Sequence, residues 1–144
     1  MIKKKVTKIL VPLDGSINSS RGLEMAISIA RQFGATITGA YCIYSPPHSE
    51  FRGVGSVRDA ANKDVKKFLN DAKVLAAQNG IVFKEKLMRG DIGYNIIKLA
   101  HDKKEKFNLI VIGSRGRGSM KAMFFGSVSN YVIHASKIPV LLVK

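Results

Sequence analysis

A single cysteine, Cys42, leaves this chain unable to close an intramolecular disulfide or to build a C-x-x-C or Cys/His zinc pattern, and a reducing compartment fits best. Long apolar runs are missing too. No stretch approaches ~18 consecutive apolar residues, so no membrane-spanning helix is expected. The start, Met1-Ile2-Lys3-Lys4-Lys5-Val6, has no signal-peptide core behind it, because Lys8 interrupts and Pro12-Leu13-Asp14-Gly15 follows. The expectation is a soluble, cytoplasmic protein with no membrane partner. Acidic residues are scarce: 24 Lys+Arg against 10 Asp+Glu give a formal charge of +14. Such a balance raises nucleic acid, acidic lipid or phosphorylated ligands as partners. Part of it also reads as solvated surface, since Arg58 to Lys73 interleaves five basic with three acidic residues on a helix face. Lys98, Lys103, Lys104 and Lys106 fall near the end of another helix, where cations complement the dipole.

What is present points to one α/β domain spanning residues 1–144. A chain of this length can bury roughly 68–70% of its unfolded surface without a covalent staple. Five short apolar runs alternate with four segments of helical period, as in repeated β-α-β units around a largely parallel sheet. The strands are expected at Lys8–Leu13, Thr36–Ile43, Val82–Leu87, Leu109–Ile112 and Val140–Val143. The first, fourth and fifth are almost continuously apolar, whereas Lys84, Glu85 and Lys86 mark the third as a half-exposed edge. Leu23, Ala26, Ile27, Ala30 and Phe33 recur at helical spacing, as do Ala61, Val65, Phe68, Leu69, Ala72, Leu75 and Ala76. Gly34 and Gly80 stand where helices stop, Asp91 is placed to cap a third helix, and a fourth is expected to start near Gly126-Ser127 and end by Lys137, before Pro139. Tyr44 to Val57 makes a connection longer than compact α/β loops use, either mobile or part of a binding site.

In open α/β sheets ligands bind beyond the carboxyl ends of strands, where strand order reverses. Two polar clusters lie at such ends: Asp14-Gly15-Ser16 after the first strand and Gly113-Ser114-Arg115-Gly116-Arg117-Gly118-Ser119 after the fourth. Closely spaced glycines let backbone N–H groups approach phosphate oxygens, and arginines add cationic donors. Gly126-Ser127-Val128-Ser129 opens a helix whose first N–H groups form a second natural anion site. A P-loop read from Gly113 fails because Ser119 stands where lysine is required, and a dinucleotide fingerprint from Gly116 fails at Lys121. On these residues alone, anion site and plain turn both remain open.

The spacing Gly113-x2-Gly116-x9-Gly126-Ser127, together with Lys8-Ile-Leu-Val-Pro-Leu-Asp14-Gly-Ser16, Gly90-Asp91 and the run from Gly126 to Val143, resembles the ATP-binding members of the universal stress protein family along the whole chain. The resemblance implies a three-layer, Rossmann-like fold of the adenine nucleotide alpha hydrolase type, with a five-stranded parallel sheet of order 3-2-1-4-5 and four helices. It implies ATP as ligand, with Mg²⁺ or Mn²⁺ bridging the phosphates. Asp14 would accept hydrogen bonds from the ribose hydroxyls, backbone near Tyr41 and Cys42 would meet the adenine edge, and Pro12 and Leu13 would line its pocket. Gly113, Arg115, Gly116, Gly126, Ser127, Val128 and Ser129 would hold the phosphates. Arg117 and Lys121 fall in the least constrained part of the match.

No catalytic or metal-ligating set stands out. His48, His101 and His134 are scattered without partners at ligand spacing, and Ser16, Ser127 and Ser129 lack the His/Asp company of a nucleophile. No water-activating residue or catalytic lysine is evident, so any ATP hydrolysis would be slow. Met120, Met123, Phe124 and Phe125 form an apolar patch that either packs over the loop or meets a partner. The function expected is a nucleotide-dependent regulatory protein of the stress response. A homodimer is expected through the fifth strand, because Val140, Leu141, Leu142 and Val143 are too apolar for a free sheet edge. The alternative is a polyanion-binding basic protein, with nucleic-acid contact that is weak and independent of sequence, since no RNA-binding module is present.

Overall fold

Lys8–Leu13 forms β1, whose Ile9, Leu10 and Val11 are fully buried, as a strand covered on both faces requires. The structure, a computed structural model, describes residues 5–45, 55–116 and 125–144. After β1 follow α1 (Ile17–Phe33), β2 (Thr36–Tyr44), α2 (Gly55–Gln78), β3 (Phe83–Gly90), α3 (Ile92–Ala100), β4 (Leu109–Gly113), α4 (Ser127–Ala135) and β5 (Val140–Val143). The strands make one parallel sheet of order β3-β2-β1-β4-β5, as expected.

Local chemistry sets the element ends. Ser16 caps α1 by accepting from the Ser19 N–H, and Gly34 ends it in the left-handed conformation at φ 66°, which a side chain would strain. Asp91 caps α3 by accepting from the Tyr94 N–H at 2.8 Å. Strand boundaries move from their expected places: β2 ends at Tyr44 and β4 at Gly113, each one residue later. β3 starts at Phe83 rather than Val82 and runs on to Gly90, because β2 continues to Tyr44 and offers it a ladder down to Tyr44↔Gly90. α4 ends at Ala135, before Lys137 as expected. The expected long connection loses both its ends, Tyr44 to β2 and Gly55–Val57 to α2, and 46–54 lies outside the described residues.

Two apolar clusters flank the sheet. α1 and α2 bury Leu23, Ala26, Ile27, Val65 and Leu69 against Ile9, Ile37 and Val111 on one face, while α3 and α4 bury Ile96, Leu99 and Val132 against Leu10, Ile110 and Ile112 on the other. Each fully buried Ile or Leu contributes about 1.5–3 kcal/mol relative to exposure. These three layers hold the carboxyl ends of β1 and β4 side by side.

Candidate functional site

The sheet parts where its strand order reverses. The β1–β4 register runs Ile9↔Leu109 and Leu10↔Ile110, ending two residues before Pro12, whose ring nitrogen carries no hydrogen for a ladder. Beyond that point a cleft of about 840 Å³ opens, within the size range of small-molecule sites. Pro12, Leu13, Asp14, Tyr41, Cys42, Gly113, Arg115, Gly116, Gly126, Ser127, Val128 and Ser129 all line it. The fold therefore brings together every site residue expected from sequence. Arg117 and Lys121, with Met120, Met123 and Phe124, lie outside the described residues, whereas Phe125 is partly exposed on the cleft. A smaller hollow of about 350 Å³ between α1 and α2 contains none of these residues.

Asp14 is fixed where β1 ends. Its Oδ1 accepts from the Ser16 N–H at 2.9 Å, and its carbonyl accepts from the Tyr41 hydroxyl at 3.2 Å. A Cβ added to Gly116 would stand 2.5 Å from Asp14 Oδ2, so the carboxylate lies against the loop backbone. A Cβ on Gly113 would come within 2.6 Å of the Asn18 carbonyl oxygen in α1, which makes that glycine a packing requirement as well as a cleft residue. Gly126 differs: its added Cβ would meet nothing closer than 3.5 Å, and its φ of −72° suits any residue.

The α4 end of the cleft is built around the Ser114 carbonyl. It accepts from the Gly126 N–H at 2.7 Å and from the Ser129 hydroxyl at 2.9 Å, pinning α4 to the end of β4. With its hydroxyl engaged there and at the Gly126 carbonyl, Ser129 offers a ligand its backbone N–H. α1 and α3 have side-chain caps, but α4 begins at Gly126 without one. The first-turn N–H groups, having no acceptor four residues back, open on the cleft with the positive end of the helix dipole. Arg115, exposed and on the same cleft, adds a cation.

The other end is apolar and edged by backbone. The Thr36 N–H bonds to Thr7 on the β1 side, while the Ile37 and Ser45 N–H groups bond to Val82 and Gly90 on the β3 side. Strand alternation therefore sends the Cys42 carbonyl and the Tyr44 N–H toward β1, which has already ended at its Leu13↔Tyr41 pair. An acceptor and a donor stand there side by side on a strand edge that no described strand pairs. Cys42 is 8% exposed; burial pushes its thiol pKa up, against the hydrogen bond from Asn95. Asn95 also donates to the Asp91 carbonyl at 2.9 Å, tying the start of α3 to β2.

Sequence reasoning missed the α2 wall and the floor: Val65, Phe68, Asp64, Lys67 and Asp71 line the cleft, as do Ile92, Ile96 and Ile112. Helical spacing marked Val65 and Phe68 as buried but carried no signal of which neighbour they meet; Phe68 packs edge-on to Tyr41 with ring centroids 6.3 Å apart. Among the histidines, His101 accepts from the Lys137 N–H at 3.0 Å and His134 is exposed on α4, both away from the cleft; His48 is outside the described residues. No group of three or more metal-ligating side chains occurs among the described residues. Nor is any described helix long and apolar enough to cross a membrane.

The model of the universal stress protein family matches residues 5–144. Universal stress protein YxiE of Bacillus subtilis is 31% identical, over 95% of this chain and 98% of its own. Among solved structures, universal stress protein UspA from Lactobacillus plantarum superposes with a TM-score of 0.85 at 23% identity, covering 99% of this chain and 100% of its own. A universal stress protein from Archaeoglobus fulgidus in complex with dAMP gives 0.71 at 24%, covering 96% and 98%. A universal stress protein in complex with cAMP gives 0.73 at 24%, covering 97% and 98%.

Proposed function

Since this chain belongs to the universal stress protein family, we propose that its cleft binds ATP and that occupancy governs the conformation and partners of a regulatory dimer. The observation that carries this reading is the uncapped start of α4 on the same cleft as the fixed carboxylate of Asp14, an anion site and a hydroxyl acceptor at two ends of one hollow. The carbonyl and N–H at Cys42 and Tyr44 complement the amine and ring nitrogen of an adenine edge. Asp14 accepts from the ribose hydroxyls, while Arg115 and the N–H groups from Ser127 to Ser129 hold the phosphates. The complexes of similar folds with dAMP and cAMP support an adenine nucleotide as the ligand class.

The residues present fit a metal carried on the nucleotide. Mg²⁺ or Mn²⁺ is commonly held by phosphate oxygens and water with few protein donors, in keeping with the lack of a ligand cluster in the described residues. Bound there, it would neutralise phosphate charge, with the Ser127 hydroxyl the side-chain oxygen at the helix start. Nucleotide released by denaturing freshly purified protein, identified by mass, tests the reading together with calorimetric titration of Mg-ATP. Adenine nucleotide in the extract and saturable heat are expected; an empty extract and a flat titration would overturn it.

The dimer would form on β5. The Pro139 and Val143 carbonyls accept from β4, at the Ile110 and Ser114 N–H groups, so alternation turns the polar groups of Val140 and Leu142 to the outer edge. Leu141 is exposed on this strand, and Tyr131 and Ile133 are exposed on α4. Two such edges paired about a twofold axis would satisfy one another.

A further inference from the structure

The end of the sheet opposite the cleft is knit into one platform. The Asn108 Oδ1 accepts from the Thr7 and Lys8 N–H groups, each at 3.2 Å, and its Nδ2 donates to the Lys5 carbonyl at 2.8 Å. Lys8 reaches Glu105 at 2.6 Å, and His101 accepts from the Lys137 N–H at 3.0 Å. The α3–β4 turn is thereby fastened to the start of β1 and to the approach to β5. Inside that turn Asp102 Oδ1 accepts from the Lys104 N–H at 2.8 Å, which shapes the backbone. Lys106 sits at φ 56°, the one non-glycine residue with positive φ among those described, a conformation that costs a lysine free energy.

This platform carries unbalanced charge. Lys5, Lys84, Lys103, Lys104, Lys106 and Lys137 are exposed, and none forms an ion pair among the described residues. Of the acids beside them Glu105 is paired with Lys8, whose hydrogen bond holds its carboxyl below its ordinary range with Lys84 adding to the effect, which leaves Asp102 and Glu85 against six lysines. Helix dipoles do not account for the set, because Lys98 alone occupies the last turn of α3, while Lys5, Lys84 and Lys106 belong to no helix. Sheet order strings them in a row, from Lys84 on β3 through Lys5 before β1 and Lys106 before β4 to Lys137 before β5. With strands ~4.8 Å apart, four spacings make about 19 Å. We propose that this row is a docking surface for the sugar–phosphate backbone of nucleic acid, bound through its phosphates without reading sequence.

A line of cations suits a linear polyanion, whose phosphates recur about every 3.4 Å along each strand. Lysines supply point charges on flexible stems, and the aromatic ring in the turn, Phe107, is buried and so is not offered to bases. A bilayer fits less well. His101 to Lys106 is polar throughout, and the exposed apolar side chains at this end, Phe33 and Val82, lie at the β2–β3 rim instead. The surface is distinct from the cleft and does not depend on the nucleotide reading.

Fluorescence anisotropy with labelled mixed-sequence single-stranded RNA and DNA, titrated at several salt concentrations, tests the proposal. Wild type should bind both with a steep salt dependence, and Lys103→Glu/Lys104→Glu should weaken binding at least about tenfold and flatten the slope by ~0.7 for each phosphate no longer neutralised. Lys66→Glu/Lys73→Glu, on the exposed face of α2, matches the charge change elsewhere and should cost under about threefold. Lys106→Gly should raise Tm by relieving the backbone while weakening RNA; a rise in Tm at unchanged affinity would mean the lysine serves no ligand. A loss as large in the control variant, no binding by wild type, or binding only to phosphatidylserine vesicles would each overturn the assignment.

Discussion

Asp14 Oδ2 lies against the backbone of Gly116, so closely that a Cβ on that glycine would stand 2.5 Å from the oxygen. A side chain at 116 would therefore act twice, filling the space proposed for a phosphate and displacing the carboxylate that the Ser16 N–H holds.

The motif glycines should separate by role when each is changed. Gly126→Ala, with no neighbour nearer than 3.5 Å, should shift stability by less than about 0.5 kcal/mol while weakening Mg-ATP. Gly116→Val and Gly126→Val should abolish binding. Gly113→Ala should cost about 1–3 kcal/mol of stability, because it meets the Asn18 backbone rather than a flexible side chain. Urea denaturation and calorimetry check both axes; wild-type ATP binding no tighter than that of the valine variants would sink the site.

Asp14→Ala should weaken ATP about 10- to 100-fold, the factor for losing hydrogen bonds to a charged group worth ~1.5–3 kcal/mol. If Asp14 reads the ribose, 2′,3′-dideoxy-ATP should bind wild type weakly and the variant with no further loss. Equal losses in both proteins would assign the carboxylate another task.

Cys42 offers a reporter, being the chain's sole thiol and part of the cleft wall. Burial raises its pKa above the ordinary 9.0, so the thiol is protonated at neutral pH and should react with iodoacetamide more slowly than free cysteine, speeding up as pH rises. Saturating Mg-ATP should slow it further, by tenfold or more. A rate indifferent to nucleotide would argue against occupancy of this cleft.

Leu142→Pro removes an N–H from the outer edge of β5 and leaves the hydrogen bonds that Pro139 and Val143 accept from β4. Light scattering should report twice the 15.8 kDa chain mass for wild type, with the variant shifted toward monomer or aggregate. A wild type that stays monomeric at high micromolar concentration would defeat the dimer.

Much of this protein was determined by sequence alone. Short continuous apolar runs around Ile9–Val11 and Ile110–Ile112, alternating with helical periods, fit strands covered on both faces, and Ser16, Gly34 and Asp91 mark helix ends by chemistry confined to a few residues. The spacing of Gly113, Gly116 and Gly126 carried the family, and with it the strand order that joins Asp14 to a loop about a hundred residues away. Tertiary structure decided what depends on neighbours distant in the chain. Periodicity says that Val65 and Phe68 are apolar on one helix face, not that this face closes the cleft. Residue type does not show that Gly113 answers to Asn18 and Gly116 to Asp14, since steric demand arises only when the partner arrives. The lysines read as scattered surface charge until the sheet gathers Lys5, Lys84, Lys106 and Lys137 at one end, because charge density is a property of positions in space and not of positions along the chain.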